Sequence, residues 1–465
     1  MFSEESAAAV KTIRTILSNV EDHGVVDIFK TYSSQDIAAS LYAFYRLQRV
    51  ARHYEAIHHH HHQEQQQQQH PYPKDLLHVL EDLSHYAVYA TAAYGWKMDL
   101  AFHGKFHLGD EQALIRKTGI RKEDILASSF KAKAHMPVFF LVRDRERQTL
   151  VLCVRGTWSA RDLLTDLCCT IDEYGGGTHQ SSLNVTTSTN ILQSSQKLAQ
   201  STNDGAFTCP KFSAHHGMLE AAMAVALEVQ DVIKKELKDN PEYSLVLVGH
   251  SMGGGVAALI ATLWQEEFPN TSAYLFGGPC VAPLYSLPTN NSRIINVISE
   301  GDPFRCLSLG HIADLSTAVA ELCEEPELRR SILMRTDGSL EDLEEQDIQF
   351  CWEVMEDLRR HNMTNDKMYP PGRIFHVSKL LKDDDEAISD GEEFTRNNNT
   401  RTLRSNEIDI HEVPPQFFRD LVIGPRMFDI SKHLPSLYET TLRKLIIEME
   451  EQHKQQHSSQ TTKEI

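Results

Sequence analysis

Ser244-Leu245-Val246-Leu247-Val248-Gly249-His250-Ser251-Met252-Gly253-Gly254-Gly255-Val256-Ala257-Ala258-Leu259-Ile260 is the stretch that decides the fold. From Leu245 to Val248 every side chain is apolar, so the segment cannot alternate between core and solvent. That is the pattern of a parallel strand covered on both faces. Beyond Ser251, the residues Val256, Leu259, Ile260 and Leu263 recur at helical spacing. Between strand and helix lies Gly249-His250-Ser251-Met252-Gly253, a G-x-S-x-G motif. A serine on so sharp a turn holds its hydroxyl clear of the sheet, and the two glycines remove side chains that would clash. A glycine-rich turn with an idle serine would need neither the strand nor the helix.

Outward from this stretch, Met136 to Val142 and Thr149 to Val154 read as strands around the polar turn Asp144-Arg145-Glu146-Arg147. A helix begins at Gly217, with Ala222, Ala226, Val229, Ile233 and Leu237 on one face. Ser272 to Phe276, Arg293 to Ile298 and Arg373 to Val377 are further buried strands. Strands alternating with helices predict an α/β fold with a mostly parallel central sheet flanked by helices.

The chain has 465 residues, 41% hydrophobic and 24% charged, with a formal net charge of −19. Such an acidic chain lacks the basic footprint that nucleic acid requires, so no nucleic acid is expected as a partner. Eight scattered cysteines without C-x-x-C spacing argue against a disulfide framework or a zinc ribbon. No signal peptide and no apolar run of membrane-spanning length is read, so the expected compartment is the cytoplasm, with peripheral membrane contact.

Four regions are expected. Residues 1–57 form an N-terminal helical segment and residues 58–72 a His/Gln low-complexity linker. Residues 73–448 form the main domain, and residues 449–465 a polar tail. Polar insertions are placed near 173–210 and 311–368, with a further acid-rich run at Lys382 to Glu393. The insertion at 311–368, polar and partly helical, enters between two strands and is expected to act as a loop gating the site.

A serine hydroxyl needs a base, and the base needs a carboxylate to hold it. With a G-x-S-x-G turn the expected chain order is serine, acid, histidine, as in an α/β-hydrolase fold. The strand Arg293 to Ile298 ends in Ser299-Glu300-Gly301-Asp302-Pro303, which offers Asp302 and its rival Glu300. His311, His361, His376, His411 and His433 are the downstream histidines. His376 lies within a strand, whereas His433 lies in a loop before the last helix. Oxyanion donors are expected from the N–H of Met252 and from Thr157, at the end of the strand Thr149 to Val154. A plain turn at Arg155-Gly156-Thr157 is the competing reading.

Several further motifs recur in order. They are Ala93-Tyr94-Gly95-Trp96-Lys97-Met98, Val154-Arg155-Gly156-Thr157 with Asp162-Leu163-Leu164-Thr165-Asp166-Leu167, and His216-Gly217-Met218-Leu219-Glu220-Ala221-Ala222. Later come Tyr369-Pro370-Pro371-Gly372-Arg373-Ile374-Phe375-His376-Val377 and Ile423-Gly424-Pro425-Arg426-Met427-Phe428, the latter running into His433-Leu434-Pro435. With the elbow, this set resembles the class 3 lipases, and most closely the sn-1-specific diacylglycerol lipases, over about residues 30–448. The animal members of that group carry a transmembrane bundle before the catalytic domain, and no segment here reads as one. The resemblance implies Ser251, Asp302 and His433 as a catalytic triad, and an insertion in the place of 311–368. It implies a carboxylic ester hydrolase that cleaves a glycerolipid at a membrane or droplet surface, with diacylglycerol as the favoured substrate. An acyltransferase with the same triad, or an inactive lipid-binding scaffold, are the alternatives. The mechanism requires no cofactor, although calcium could bridge acidic insertions to lipid headgroups.

Overall fold

The structure is a computed structural model, and it describes residues 27–64, 74–96, 109–132, 136–157, 171–174, 212–287, 293–379, 402–404, 408–424 and 429–447. The polar tail, the acid-rich run at 382–393 and nearly all of the insertion at 173–210 lie outside the described residues.

Nine strands form the main sheet in the order β1-β2-β3-β6-β7-β8-β9-β11-β10. These are β1 (Ile125–Ser129), β2 (Phe139–Asp144), β3 (Thr149–Val154), β6 (Ser244–His250), β7 (Ser272–Phe276), β8 (Ile294–Ser299), β9 (Arg373–Lys379), β10 (Thr402–Arg404) and β11 (Ile408–Val413). The five from β3 to β9 run parallel. Antiparallel pairs close both edges. A separate hairpin pairs β4 (Ile171–Tyr174) with β5 (Phe212–His215).

The unbroken apolar text of the central strands follows from two cores. Leu245 and Leu247 join one core with Leu150 and Leu152, while Val246 and Val248 join the other with Val151 and Cys153. Helices α4 (His216–Asp239) and α5 (Met252–Leu263) cover the first face. Helices α2 (Lys74–Ala92) and α3 (Asp110–Thr118) and a helix over 435–447 cover the second through Leu80, Leu83, Tyr86, Leu114, Tyr438 and Leu442. Each such side chain contributes roughly 1.5–3 kcal/mol when taken from water into a core. Both faces must be apolar, so the period of two that marks a half-exposed strand is absent.

Two expectations are corrected. Residues 311–368, read as partly helical and as a gating loop, are mostly three packed helices, α6 (Leu309–Glu324), α7 (Pro326–Arg335) and α8 (Glu345–His361). They pack on the long N-terminal helix α1 (Ser34–Glu64), placing Leu315, Val319, Leu322, Met355 and Leu358 in one core with Phe44 and Leu47. Tyr54 stacks on Trp352 at 4.8 Å, Arg329 pairs with Asp36, and Arg359 pairs with both Glu55 and Asp420. The polar text is the outer face of amphipathic helices. The N-terminal segment and the insertion therefore form one helical layer. Helix α1 also continues through the His tract to Glu64, past the expected boundary at residue 58. Extending a helix already nucleated by packing is favourable, and nothing in that tract is proline or glycine.

Candidate active site

Ser251 sits between β6 and α5 with φ 59° and ψ −137°, one of two non-glycine residues with positive φ among those described. Such backbone costs on the order of 1–3 kcal/mol and persists only where its surroundings enforce it. Its N–H donates to the Phe276 carbonyl at 3.0 Å, and its carbonyl accepts from Gly254 N–H at 2.8 Å. A Cβ at Gly249 would collide with the backbone of Gly253, and one at Gly253 with the carbonyl of Val154. The motif's glycines are thus required by contact between the turn, its helix and the neighbouring strand. Ser251 is buried, and its Oγ has no hydrogen-bond partner among the described residues.

Asp302, on the loop after β8, is also buried. Its Oδ1 accepts from Phe304 N–H at 2.9 Å. Its Oδ2 lies 2.7 Å from His433 Nδ1 and accepts from the Tyr438 hydroxyl at 2.6 Å. A carboxylate only accepts, so the proton of His433 lies on Nδ1, and Nε2 presents a lone pair. Nε2 is buried without a partner among the described residues. Asp302 is the carboxylate that meets His433; Glu300 turns toward β9, where its N–H donates to the Val377 carbonyl.

Gly277 shows how these groups reach the serine. It follows β7 with φ 58°, and a Cβ there would stand 2.8 Å from Tyr438 Oη, 3.1 Å from Asp302 Oδ2 and 3.1 Å from His433 Cε1. The residue before it, Phe276, holds the Ser251 N–H. The acid–histidine pair therefore packs on the backbone that also anchors the elbow. On the other side, β3 runs parallel to β6 with Val154 opposite Gly249. Its continuation passes so close that a Cβ on Gly156 would lie 2.7 Å from Ser251 Cβ. The Thr157 hydroxyl reaches Met252 Sδ at 3.5 Å. Met252 opens α5, at a position whose N–H has no acceptor within its own helix. Thr157 thus borders Ser251 through the continuation of β3, and His433 through the backbone after β7.

Residues 151–304 match the family described as Lipase (class 3). That segment is similar to a class 3 lipase domain. The chain is 26% identical over 343 residues to diacylglycerol lipase-beta of Mus musculus, covering 65% of this chain and 46% of that protein. It is 36% identical over 94 residues to secreted mono- and diacylglycerol lipase A of Penicillium cyclopium, covering 18% of this chain and 31% of that one. It thus spans less than half the length of either relative. A solved lipase from Rhizopus microsporus var. chinensis overlays 48% of this chain and 67% of its own at 21% identity, with a TM-score of 0.33.

The other candidate histidines lie elsewhere. His376 is buried in β9 opposite Ile298, with its ring near Phe417 and His411 and its Nε2 3.4 Å from Arg305. Burial, then His411 and Arg305, holds its pKa well below the usual histidine value. His411 lies on β11 opposite His376, and His361 is exposed at the end of α8. His311, in α6, takes a hydrogen bond from Ser308 and donates to the Phe418 carbonyl. Reading the sequence did not single out Tyr438 or Gly277. Only the glycine left a signal, in Phe276-Gly277-Gly278-Pro279 directly after a strand.

Proposed function

We propose that this lipase-family chain hydrolyses an acyl ester of a glycerolipid, with diacylglycerol converted to monoacylglycerol and free fatty acid. The observation that carries the reading is the Asp302–His433 pair packed against Gly277, beside a strained serine elbow. Ser251 attacks the ester carbonyl while His433 Nε2 takes its proton, and Asp302 steadies the imidazolium that results. Thr157 and the Met252 N–H stabilise the oxyanion. The protonated His433 then gives its proton to the departing alcohol, and a water activated by the same nitrogen releases the fatty acid. Every step is carried by protein groups and water, so no cofactor is required. The diacylglycerol preference rests on similarity to proteins of that name. The substrate is met at a membrane or droplet surface. Among the described residues no helix is long and apolar enough to cross a membrane.

The test is lipid product profiling of purified protein on diacylglycerol vesicles, with Ser251→Ala alongside. The expected result is release of fatty acid and monoacylglycerol by the wild type, and loss of both by several orders of magnitude in the variant. Equal release by the two proteins would refute the reading.

A further inference from the structure

The triad leaves one buried side chain of the elbow without a task. His250 precedes Ser251 and is 2% exposed. Its Nε2 lies 2.6 Å from the backbone carbonyl oxygen of His433. A carbonyl only accepts, so Nε2 carries the proton and Nδ1 is a lone pair. The Tyr94 hydroxyl, 2.6 Å from Nδ1, is then the donor. The oxygen of Tyr94 in turn takes a backbone hydrogen bond from Gly156, the neighbour of Thr157. Each donor points the same way along the path: Gly156 N–H to Tyr94 O, Tyr94 O–H to His250 Nδ1, His250 Nε2–H to the His433 carbonyl.

The space around this path is tight. The His250 and His433 rings lie 4.7 Å apart between centroids, and a Cβ on Gly156 would meet the Tyr94 hydroxyl at 3.0 Å. Burial, reinforced by the neighbouring His433, holds the His250 pKa well below the usual histidine value. The ring therefore stays neutral, and its tautomer is set by its two partners. Chains of buried hydrogen bonds of this kind hold their members in one geometry.

We propose that Tyr94 and His250 are positioning residues that hold the oxyanion loop, the serine elbow and the His433 loop in one register. The proposal rests on the reading of Ser251 and His433 as nucleophile and base. The three loops come from distant parts of the chain, and the direct contact of interest, Ser251 Oγ to His433 Nε2, is not itself formed as a hydrogen bond. Something else must fix the height of His433 above the serine, and the bond to its own carbonyl does so.

The test uses the full chain with Tyr94→Phe, His250→Asn and His250→Gln. The glutamine amide nitrogen can take the place of Nε2 and donate to the His433 carbonyl; the asparagine side chain is too short. His250→Asn should lower kcat about 100-fold, the scale of a misplacement of about 1 Å, with KM within about threefold. His250→Gln should recover at least tenfold of that loss, and Tyr94→Phe should lower kcat about tenfold, the scale of one buried hydrogen bond. In the wild type, side-chain nitrogen NMR should show His250 as the Nε2–H tautomer. Equal kcat in the two His250 variants, or an Nδ1–H tautomer, would overturn the proposal. So would a loss confined to thermal stability with unchanged turnover per folded molecule. If Ser251→Ala turns over as fast as the wild type, the catalytic reading itself fails, and the relay with it. If Ser251→Ala is inactive but glutamine gives no rescue, only the relay fails.

Discussion

Lowering the pH should weaken the fold through His311 in a defined window. His311 is buried near the start of α6. Its Nδ1 accepts from the Ser308 hydroxyl at 2.7 Å, and its Nε2–H donates to the Phe418 carbonyl at 2.9 Å. Ser308 Oγ also takes the Met368 N–H at 3.4 Å. The ring thus ties both ends of the helical insertion to the segment after β11. Burial lowers its pKa from 6.5 to about 4. The folded chain therefore refuses a proton that the unfolded chain accepts between those two values. Stability is fully present above pH 6.5 and falls as pH drops through the window, at up to about 1.4 kcal/mol per unit. The whole interval corresponds to about 3 kcal/mol, a large fraction of the ordinary stability of a domain. His250 and His376 carry shifts of the same direction, so the wild-type curve alone does not isolate His311. The assay is the urea-unfolding difference between wild type and His311→Gln at pH 7.5, 6, 5 and 4.5. Glutamine keeps the donor to Phe418 but cannot titrate. The stability gap should favour the wild type most at high pH and shrink, or reverse, toward pH 4.5. A gap constant across that range would refute the reasoning.

His433→Ala should abolish ester hydrolysis per folded molecule, whereas His376→Ala should leave turnover per folded molecule intact and lower the thermal transition by emptying a buried site, a cost of roughly 2 kcal/mol or more. Calorimetry paired with a short-chain ester assay separates the two. Gly277→Ala should cost at least about 2 kcal/mol, since its φ of 58° disfavours any side chain and the new methyl meets His433 and Asp302; kcat should fall far more than KM rises. Arg359→Ala should destabilise the helical layer by about 3 kcal/mol, because it strips the largely buried Asp420 of the cation it pairs with, while Glu55 keeps Arg419. Replacing 311–368 by a short linker should expose the apolar face of α1, and the product should aggregate rather than gain activity.

The parts legible in the sequence are those whose physics is local. The strand Ser244–Val248 had to be buried on both faces because nothing in it is polar, and the elbow glycines mark a close approach that the structure shows as collisions with Gly253 and Val154. The central strands accordingly lie within a residue or two of where the text put them. The edge strands β1 and β10, and β11 beside β10, were not legible, because short strands rich in polar residues depend on their partners for identity. The insertion was read as only partly helical because the apolar stripe of each helix is thin, and its counterpart, Phe44 and Leu47, lies more than two hundred residues away. Separations of 136 and 156 residues likewise hide the roles of Tyr438 and Tyr94, which come from a hydroxyl placed by the fold beside Asp302 or His250.

The central claim is that Ser251 is the nucleophile. The most direct measurement treats the folded protein with a fluorophosphonate, digests it and locates the adduct by mass spectrometry while following diacylglycerol hydrolysis in parallel. The account predicts one adduct per chain, on the peptide that contains Ser251, with hydrolysis lost in proportion to labelling and no adduct in Ser251→Ala. An adduct on another residue, or full hydrolysis by the fully labelled protein, would contradict it.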